Sequence, residues 1–146
     1  MVVKPTTSDL VKDFIGYKLQ KAGYEYGRQS ITEAPSPIHR LVRQMGDEFE
    51  AAYFTTFDDM TGNISIRATD LRDVFDKVLD ITFQSGIQWG RICGALVFAS
   101  KIAVKARDCE RTDIVEKITE WTCSYLNDKR FISWIRTHGG WVRRAT

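Results

Sequence analysis

FQSGIQWGR (residues 83–91) runs directly into ICGALVF (residues 92–98), so one arginine and two glycines precede an otherwise apolar segment. Apolar residues surround the helix axis over residues 87–106, a pattern typical of a helix buried on all sides at the centre of a bundle. Arg91 lies at the entrance of this helix, where an unpaired buried charge would be very costly. Its guanidinium must therefore meet water or an anion, and an anion that the chain does not supply belongs to a partner.

Apolar residues also recur at helical spacing on both sides of this segment, which predicts further amphipathic helices. Ser8 or Asp9 is the expected cap of the first helix, and Thr69 is the expected cap of the helix that leads to Phe83. The expected helical ranges are 10–22, 38–53, 54–63, 70–83, 87–106, 112–126 and 129–137. Because no run alternates with the period of a strand, the sequence predicts an all-α fold.

The composition favours one ordinary globular domain over residues 1–146. The chain has 43% hydrophobic residues and a formal net charge of +2, and acidic and basic residues alternate along the predicted helices. This charge is too small and too scattered for a nucleic-acid footprint, so we expect no nucleic-acid partner. The odd number of cysteines, three, suits reduced thiols in a cytosolic protein better than a disulfide framework.

Catalytic and metal-binding classes are disfavoured by the residues available. His39 and His138 are isolated in the sequence, and the cysteines and histidines do not have the spacing of metal ligands. No glycine-rich loop follows a strand, and no serine or cysteine stands in a recognisable nucleophile context. We therefore expect a protein that is not an enzyme and that has no metal site and no cofactor.

Four segments carry a family resemblance. Residues 88–91, Gln-Trp-Gly-Arg, resemble the first homology motif of the Bcl (B-cell lymphoma two) family of apoptosis regulators, whose signature is Asn-Trp-Gly-Arg. Residues 8–19 are similar to the fourth motif, residues 42–49 to the third and residues 134–141 to the second. The four motifs occur in the order of the family, and together they extend over nearly the whole chain. It is closest to the pro-survival branch.

This resemblance implies a Bcl-type bundle of about seven to eight helices around a central hydrophobic helix, with a hydrophobic groove on the surface. The groove would bind the amphipathic third-motif helix, or death-motif helix, of a pro-apoptotic relative, and Arg91 would pair with its aspartate. The implied function is that of a pro-survival regulator that restrains permeabilisation of the mitochondrial outer membrane. The positions that match the groove of the family are Phe49, Tyr53, Phe57, Met60, Val78, Thr82, Gln88, Gly90, Arg91 and Phe98.

Other interpretations stay open at this point. Without the family, an internal ion pair of Arg91 with Asp47, Asp76 or Asp80 would be the preferred account of this arginine. As to function, the chain could also be a helical adaptor that has kept the fold of the family and lost its death-motif ligands. Gln88 supports this account, because it replaces the asparagine of the family. Thr56 and Thr82 support the same account, because their hydroxyls would make the groove shallower or wetter.

The third motif of the chain itself has a second interpretation. Its helix could leave its seat and enter the groove of another family member, as in relatives that permeabilise membranes, so a membrane-permeabilising effector is the alternative function. Val42 disfavours this donor role because the family normally has leucine there, and one methylene is worth about 0.8 kcal/mol of transfer free energy. The residues of this segment are Ile38, Val42, Met45, Gly46, Asp47 and Phe49.

The resemblance also bears on location and assembly. Many relatives carry an apolar tail anchor after the second motif, whereas this sequence stops at Thr146. The expected location is the cytoplasm, together with the mitochondrial outer membrane or the endoplasmic reticulum if the natural chain has an anchor. Expected partners are pro-apoptotic family members, with homodimers and heterodimers left open.

Overall fold

In a computed structural model that describes residues 5–25 and 35–141, the chain forms seven α-helices and no strand within those two ranges. The all-α class and the Bcl-type bundle predicted from the sequence are confirmed. The helices are α1 (Thr7–Lys21), α2 (Pro37–Ala52), α3 (Phe54–Gly62), α4 (Leu71–Thr82), α5 (Trp89–Asp108), α6 (Thr112–Leu126) and α7 (Lys129–Thr137).

Helix α5 lies at the centre of the bundle, as the apolar run predicts. Ile92, Leu96 and Ile102 are fully buried, and α1, α2 and α6 pack closely against α5. Burial of each large apolar side chain contributes about 1.5–3 kcal/mol relative to exposure, so this helix organises the core. Helices α3 and α4 also lie on α5 but make few contacts with each other.

Several predicted helix ends are wrong by one to three residues, the largest difference being the start of α1 at Thr7 rather than at residue 10. Thr6, not Ser8, caps α1: its hydroxyl accepts from the Asp9 amide at 3.1 Å, and the Asp9 carboxylate accepts from the Thr6 amide at 3.1 Å. The Ser8 hydroxyl instead accepts from the Asn127 side chain at 2.7 Å. Helix α4 begins after Asp70, so Thr69 does not cap it.

The predicted central range of 87–106 is displaced by two residues at each end, since α5 begins at Trp89 and ends at Asp108. By contrast, the predicted bounds of α6 and α7 agree with the structure. Two glycines with positive φ, Gly139 at 88° and Gly140 at 72°, follow α7. Their left-handed backbone is accessible to glycine at little steric cost and turns the chain towards Trp141.

Tryptophans of the first and second motifs form a cluster at one end of the bundle. The ring of Trp89 lies 5.2 Å from that of Trp134 and 5.2 Å from that of Trp141, measured between centroids. The indole nitrogen of Trp141 donates to the Thr7 hydroxyl at 3.2 Å. The first and second motifs therefore meet in space and close this end against α1.

No helix in residues 5–25 and 35–141 combines the length and the hydropathy that a membrane-spanning segment requires.

Candidate functional site

The predicted groove residues lie on α2, α3, α4 and the first half of α5, except that Tyr53 and Gln88 are the residues immediately before α3 and α5. We call this surface the α2–α5 face and define it by ten residues. Phe49 and Met60 are partly buried, as are Val78 and Thr82 on the opposite side, whereas Tyr53 is 52% exposed. The residues of the face are Phe49, Tyr53, Phe57, Met60, Val78, Thr82, Gln88, Gly90, Arg91 and Phe98.

Two members of the face belong to the core. Phe57 is 6% exposed and Phe98 is 2% exposed. The ring of Phe98 packs 5.4 Å from that of Phe75 on α4, and the ring of Phe57 lies 6.0 Å from that of Phe49. The structure therefore places both rings in the core, and neither is accessible to a ligand as the chain stands.

Phe49 covers the first turns of α5. A Cβ added to Gly90 would lie 3.8 Å from the Phe49 ring, and one added to Gly94 would lie 3.4 Å from it. The Phe49 ring also packs on Tyr53, with centroids 4.8 Å apart. The sequence interpretation included Gly90 but missed Gly94, although a spacing of four residues places both glycines on one side of a helix.

Two exposed apolar side chains on the helices that carry the face were also missed. Phe54 on α3 is 53% exposed and Ile81 on α4 is 61% exposed. Ile81 lies two residues after the buried Leu79, so it points away from the core face of α4. An amphipathic helix normally has polar residues on the side away from the core, so an isoleucine on that side of α4 was the signal available in the sequence.

Arg91 has no carboxylate within salt-bridge distance among the residues that the structure describes. Its side chain is partly buried at the start of α5, and its Nη1 donates to the carbonyl of Gly86 at 2.9 Å. A guanidinium has five donors, so a single carbonyl leaves most of its hydrogen-bonding capacity for water or a ligand. This cation is therefore available to an incoming anion.

The three carboxylates proposed as internal partners of Arg91 are engaged elsewhere. Asp47 accepts from Lys18 at 2.6 Å, and Asp76 pairs with Arg72 at 3.2 Å. Asp80 accepts from the Tyr125 hydroxyl at 2.7 Å. Burial, followed by this bond to Asp80, raises the pKa of Tyr125 to about 12. The structure therefore does not support an internal ion pair of Arg91 with any of them.

The threonine hydroxyls differ in their surroundings. The Thr82 hydroxyl donates to the carbonyl of Val78 in its own helix at 2.7 Å, while Thr56 is exposed. A hydroxyl that is already bonded within α4 presents its methyl group, rather than an unpaired donor, to neighbouring groups. Thr82 therefore adds less polarity to the face than the sequence suggested.

Comparison with known proteins agrees with this arrangement. The family model described as "Apoptosis regulator proteins, Bcl-2 family" matches residues 42–141, which include most of α2 and all of α3 to α7. The chain belongs to the Bcl-2 family. Bcl-2-like protein 1 of Sus scrofa is 28% identical over 183 aligned residues, which cover 91% of this chain and 78% of the pig protein. The apoptosis regulator Bcl-2 of Gallus gallus is 31% identical over 113 residues, which cover 77% of this chain and 48% of the chicken protein.

In this Bcl-2 family chain the third motif lies in α2 and is seated on α1. Gly46 permits the contact: a Cβ there would lie only 2.2 Å from a ring carbon of Phe14, a fully buried side chain. Val42 and Gly46 are buried, while Ile38, Met45 and Phe49 are partly buried. The apolar stripe of α2 is therefore packed mainly in the core of the bundle.

Ion pairs and hydrogen bonds also hold α2 against α1. Arg43 donates from Nε and Nη2 to the two carboxylate oxygens of Asp13 at 2.9 and 2.7 Å. Asp47 accepts from Lys18, from Lys21 at 3.3 Å and from the Tyr17 hydroxyl. Burial by itself would raise the pKa of Asp47, but the hydrogen bonds from Lys18 and Tyr17 outweigh it, so the pKa is lowered.

This network predicts an acid-dependent stability. Because the pKa of Asp47 is lowered in the folded state, this residue stabilises the fold at any pH above 3.8, the ordinary pKa of an aspartate. The stabilisation is lost as the pH falls through the folded-state pKa. Burial by itself would lower the pKa of Lys18, but hydrogen bonds to Asp47 and Glu50 outweigh it, so the pKa is raised. Lys18 therefore stabilises the fold until the pH rises above 10.5. We expect Asp47→Asn to flatten the decline in the free energy of unfolding below about pH 4, measured by urea titration.

The control for this measurement is Asp59→Asn, which changes an exposed aspartate of α3. The control should keep the acid dependence of the wild type. Equal slopes for Asp47→Asn and the wild type would contradict the role given to the network.

Two cavities lie away from the α2–α5 face. One, of about 360 Å³, lies between α1, α2, α3 and α5 and is lined by four lysines, and another, of about 300 Å³, lies beside α7 and Trp141. Neither is lined by a residue of the face. Among the described residues no cluster of three or more histidine, cysteine or acidic side chains could hold a metal ion.

Proposed function

We propose that this chain is a pro-survival regulator that binds the death-motif helices of pro-apoptotic relatives on the α2–α5 face. The observation that carries the proposal is the state of Arg91. It is a partly buried cation at the edge of an apolar surface, and its bond is to a backbone carbonyl rather than to a carboxylate. A ligand that supplies a carboxylate at this position would form a charge-assisted pair.

The apolar part of the face suits an amphipathic helix. Such a ligand inserts side chains at intervals of three and four residues, so that its anchors follow one stripe. Tyr53 at the junction of α2 and α3 and Ile81 on α4 are exposed aromatic and aliphatic groups that such anchors would cover. Exposed apolar groups on the helices of the face, together with an available cation at the start of α5, favour recognition of a helix with one apolar stripe and one aspartate.

The seat of α2 favours the inhibitor over the effector. An effector that donates its third motif must withdraw α2 from α1, which would break the Arg43–Asp13 and Asp47–Lys18 pairs. It would also remove Phe14 from its contact with Gly46. Release of α2 would therefore give up a tightly packed contact and two hydrogen-bonded ion pairs at once, so these contacts oppose it.

The test has two parts, binding and membrane release. A panel of death-motif peptides is titrated against the chain by calorimetry, and we expect at least one peptide to bind with roughly micromolar affinity or tighter. The chain is then added to liposomes with an activated effector, and we expect it to suppress dye release. Dye release by the chain alone after activation would favour the effector, and no binding to any peptide would favour the adaptor.

The proposed place of action is the cytoplasm and the cytoplasmic side of the mitochondrial outer membrane. Membership in the Bcl-2 family supports association with other family members there. Fractionation of cells that express the chain, with and without a bound pro-apoptotic relative, tests this. Absence from the mitochondrial fraction under both conditions would contradict the membrane part of the proposal.

A further inference from the structure

Helix α3 is a wall of the α2–α5 face with little core of its own. It has nine residues, and within it only Phe57 and Thr61 are buried. Its N-terminal cap residue, Tyr53, makes no side-chain capping bond, and Phe54 is largely exposed. Isolated helices of this length are marginal in water, so contacts from outside must hold α3 in place.

Two lysines of α5 supply such contacts. Lys105 Nζ donates to the carbonyls of Thr61 at 2.8 Å and Ile64 at 2.5 Å, with Gly62 at 3.4 Å. These carbonyls stand at the C-terminal end of α3, where backbone acceptors lack helical partners and the helix dipole attracts a cation. Lys105 therefore caps α3 from a different helix.

Lys101, one turn earlier on α5, contacts both α2 and α3. Its Nζ lies 2.8 Å from the Asp58 carboxylate of α3 and 3.5 Å from the Glu50 carboxylate of α2. It also lies 5.1 Å from the centroid of the Phe54 ring. Because Lys101 and Lys105 are four residues apart, they share one side of α5 and act along the length of α3.

We propose that Lys101 and Lys105 are positioning residues that fix α3 against α5, with Lys105 contributing more. The consequence for ligands rests on the proposed function: by fixing α3, the two lysines set the width of the face that a death-motif helix enters. Lys105 contributes more because it satisfies several backbone carbonyls in a partly buried place, whereas the Asp58 partner of Lys101 is exposed and screened by solvent.

Hydrogen exchange tests the positioning directly. In Lys105→Met, which keeps the apolar stem, we expect amides of α3 to exchange about tenfold faster than in the wild type, with a smaller change in Lys101→Met. Amides of α1, α5 and α6 should keep their exchange rates. Lys105→Arg, which retains a cation and its donors, should restore exchange in α3 to within about threefold of the wild type.

The matched control is Lys117→Met, at an exposed lysine of α6, which should leave α3 unchanged. Unchanged exchange in α3 for Lys105→Met would overturn the proposal. So would an equal increase in all helices, which would mean a general loss of stability, or a failure of Lys105→Arg to restore the slow exchange.

Peptide binding separates this inference from the function on which it rests. If death-motif peptides bind, Lys105→Met should speed their dissociation, whereas Lys117→Met should not. If no peptide binds to the wild type, the proposed function fails while the exchange result for α3 still stands. If peptides bind and exchange in α3 does not change, only the positioning role fails.

Discussion

Arg91→Ala is expected to weaken the binding of a death-motif helix by about 2–5 kcal/mol, which is at least about thirtyfold in dissociation constant. The aspartate of the ligand helix would lose its partner, while the apolar side chains of the ligand helix would still hold that helix against the face. The fold should change little, because Arg91 gives up only its bond to the Gly86 carbonyl. Calorimetric titration of the same peptides measures the loss, and thermal unfolding checks the fold.

Arg72→Ala is the control for this experiment. Arg72 lies on α4, pairs with Asp76 and stacks over the ring of Trp121 at 5.1 Å. It should leave peptide affinity unchanged. Arg91→Lys should fall between the wild type and Arg91→Ala, because an ammonium keeps the charge but loses the planar bidentate geometry. Wild-type affinity in Arg91→Ala would exclude this residue as the recognition cation.

Gly46→Ala is expected to lower the free energy of unfolding by about 1–3 kcal/mol, although alanine favours a helix over glycine. The added methyl group would lie 2.2 Å from Phe14 Cε1 and 2.3 Å from Cζ. Phe14 is buried and cannot swing away, so α2 must shift from α1. Chemical denaturation measures the difference.

Gly62→Ala provides the comparison, because no atom lies within 4 Å of a Cβ placed there. That substitution in the last turn of α3 should be neutral or slightly stabilising. If Gly46→Ala proved as stable as Gly62→Ala, close contact between α1 and α2 would not be what seats the third motif.

The fold could be predicted because its main signals are local. The run around Ile92 and Leu96 is apolar on all sides, and this pattern alone predicts that α5 is the central helix. Helices α6 and α7 end at polar or glycine-containing turns, so their bounds agree with the prediction. The start of α1 was missed because both Thr6 and Ser8 are good caps, and only the reciprocal bond with Asp9 distinguishes them.

The site was less predictable because its decisive contacts join distant residues. Lys105 reaches carbonyls more than forty positions earlier, and no periodicity signals such a contact. Likewise, three carboxylates could have paired with Arg91. The pair of Asp76 with Arg72 is local to α4, but the partners of Asp47 and Asp80 lie on α1 and α6 and depend on packing. The depth of Phe98 was also hidden, because a helix apolar on all sides does not reveal which side lies nearest the surface.

A double-mutant cycle tests the central claim most directly. It combines Arg91→Ala in the chain with replacement of the aspartate by alanine in a bound death-motif peptide, and compares the four dissociation constants. Recognition by ion pairing predicts a coupling energy of at least about 1.5 kcal/mol between the two sites. Additive effects, with a coupling energy near zero, would show that the aspartate does not meet Arg91 and would contradict the account.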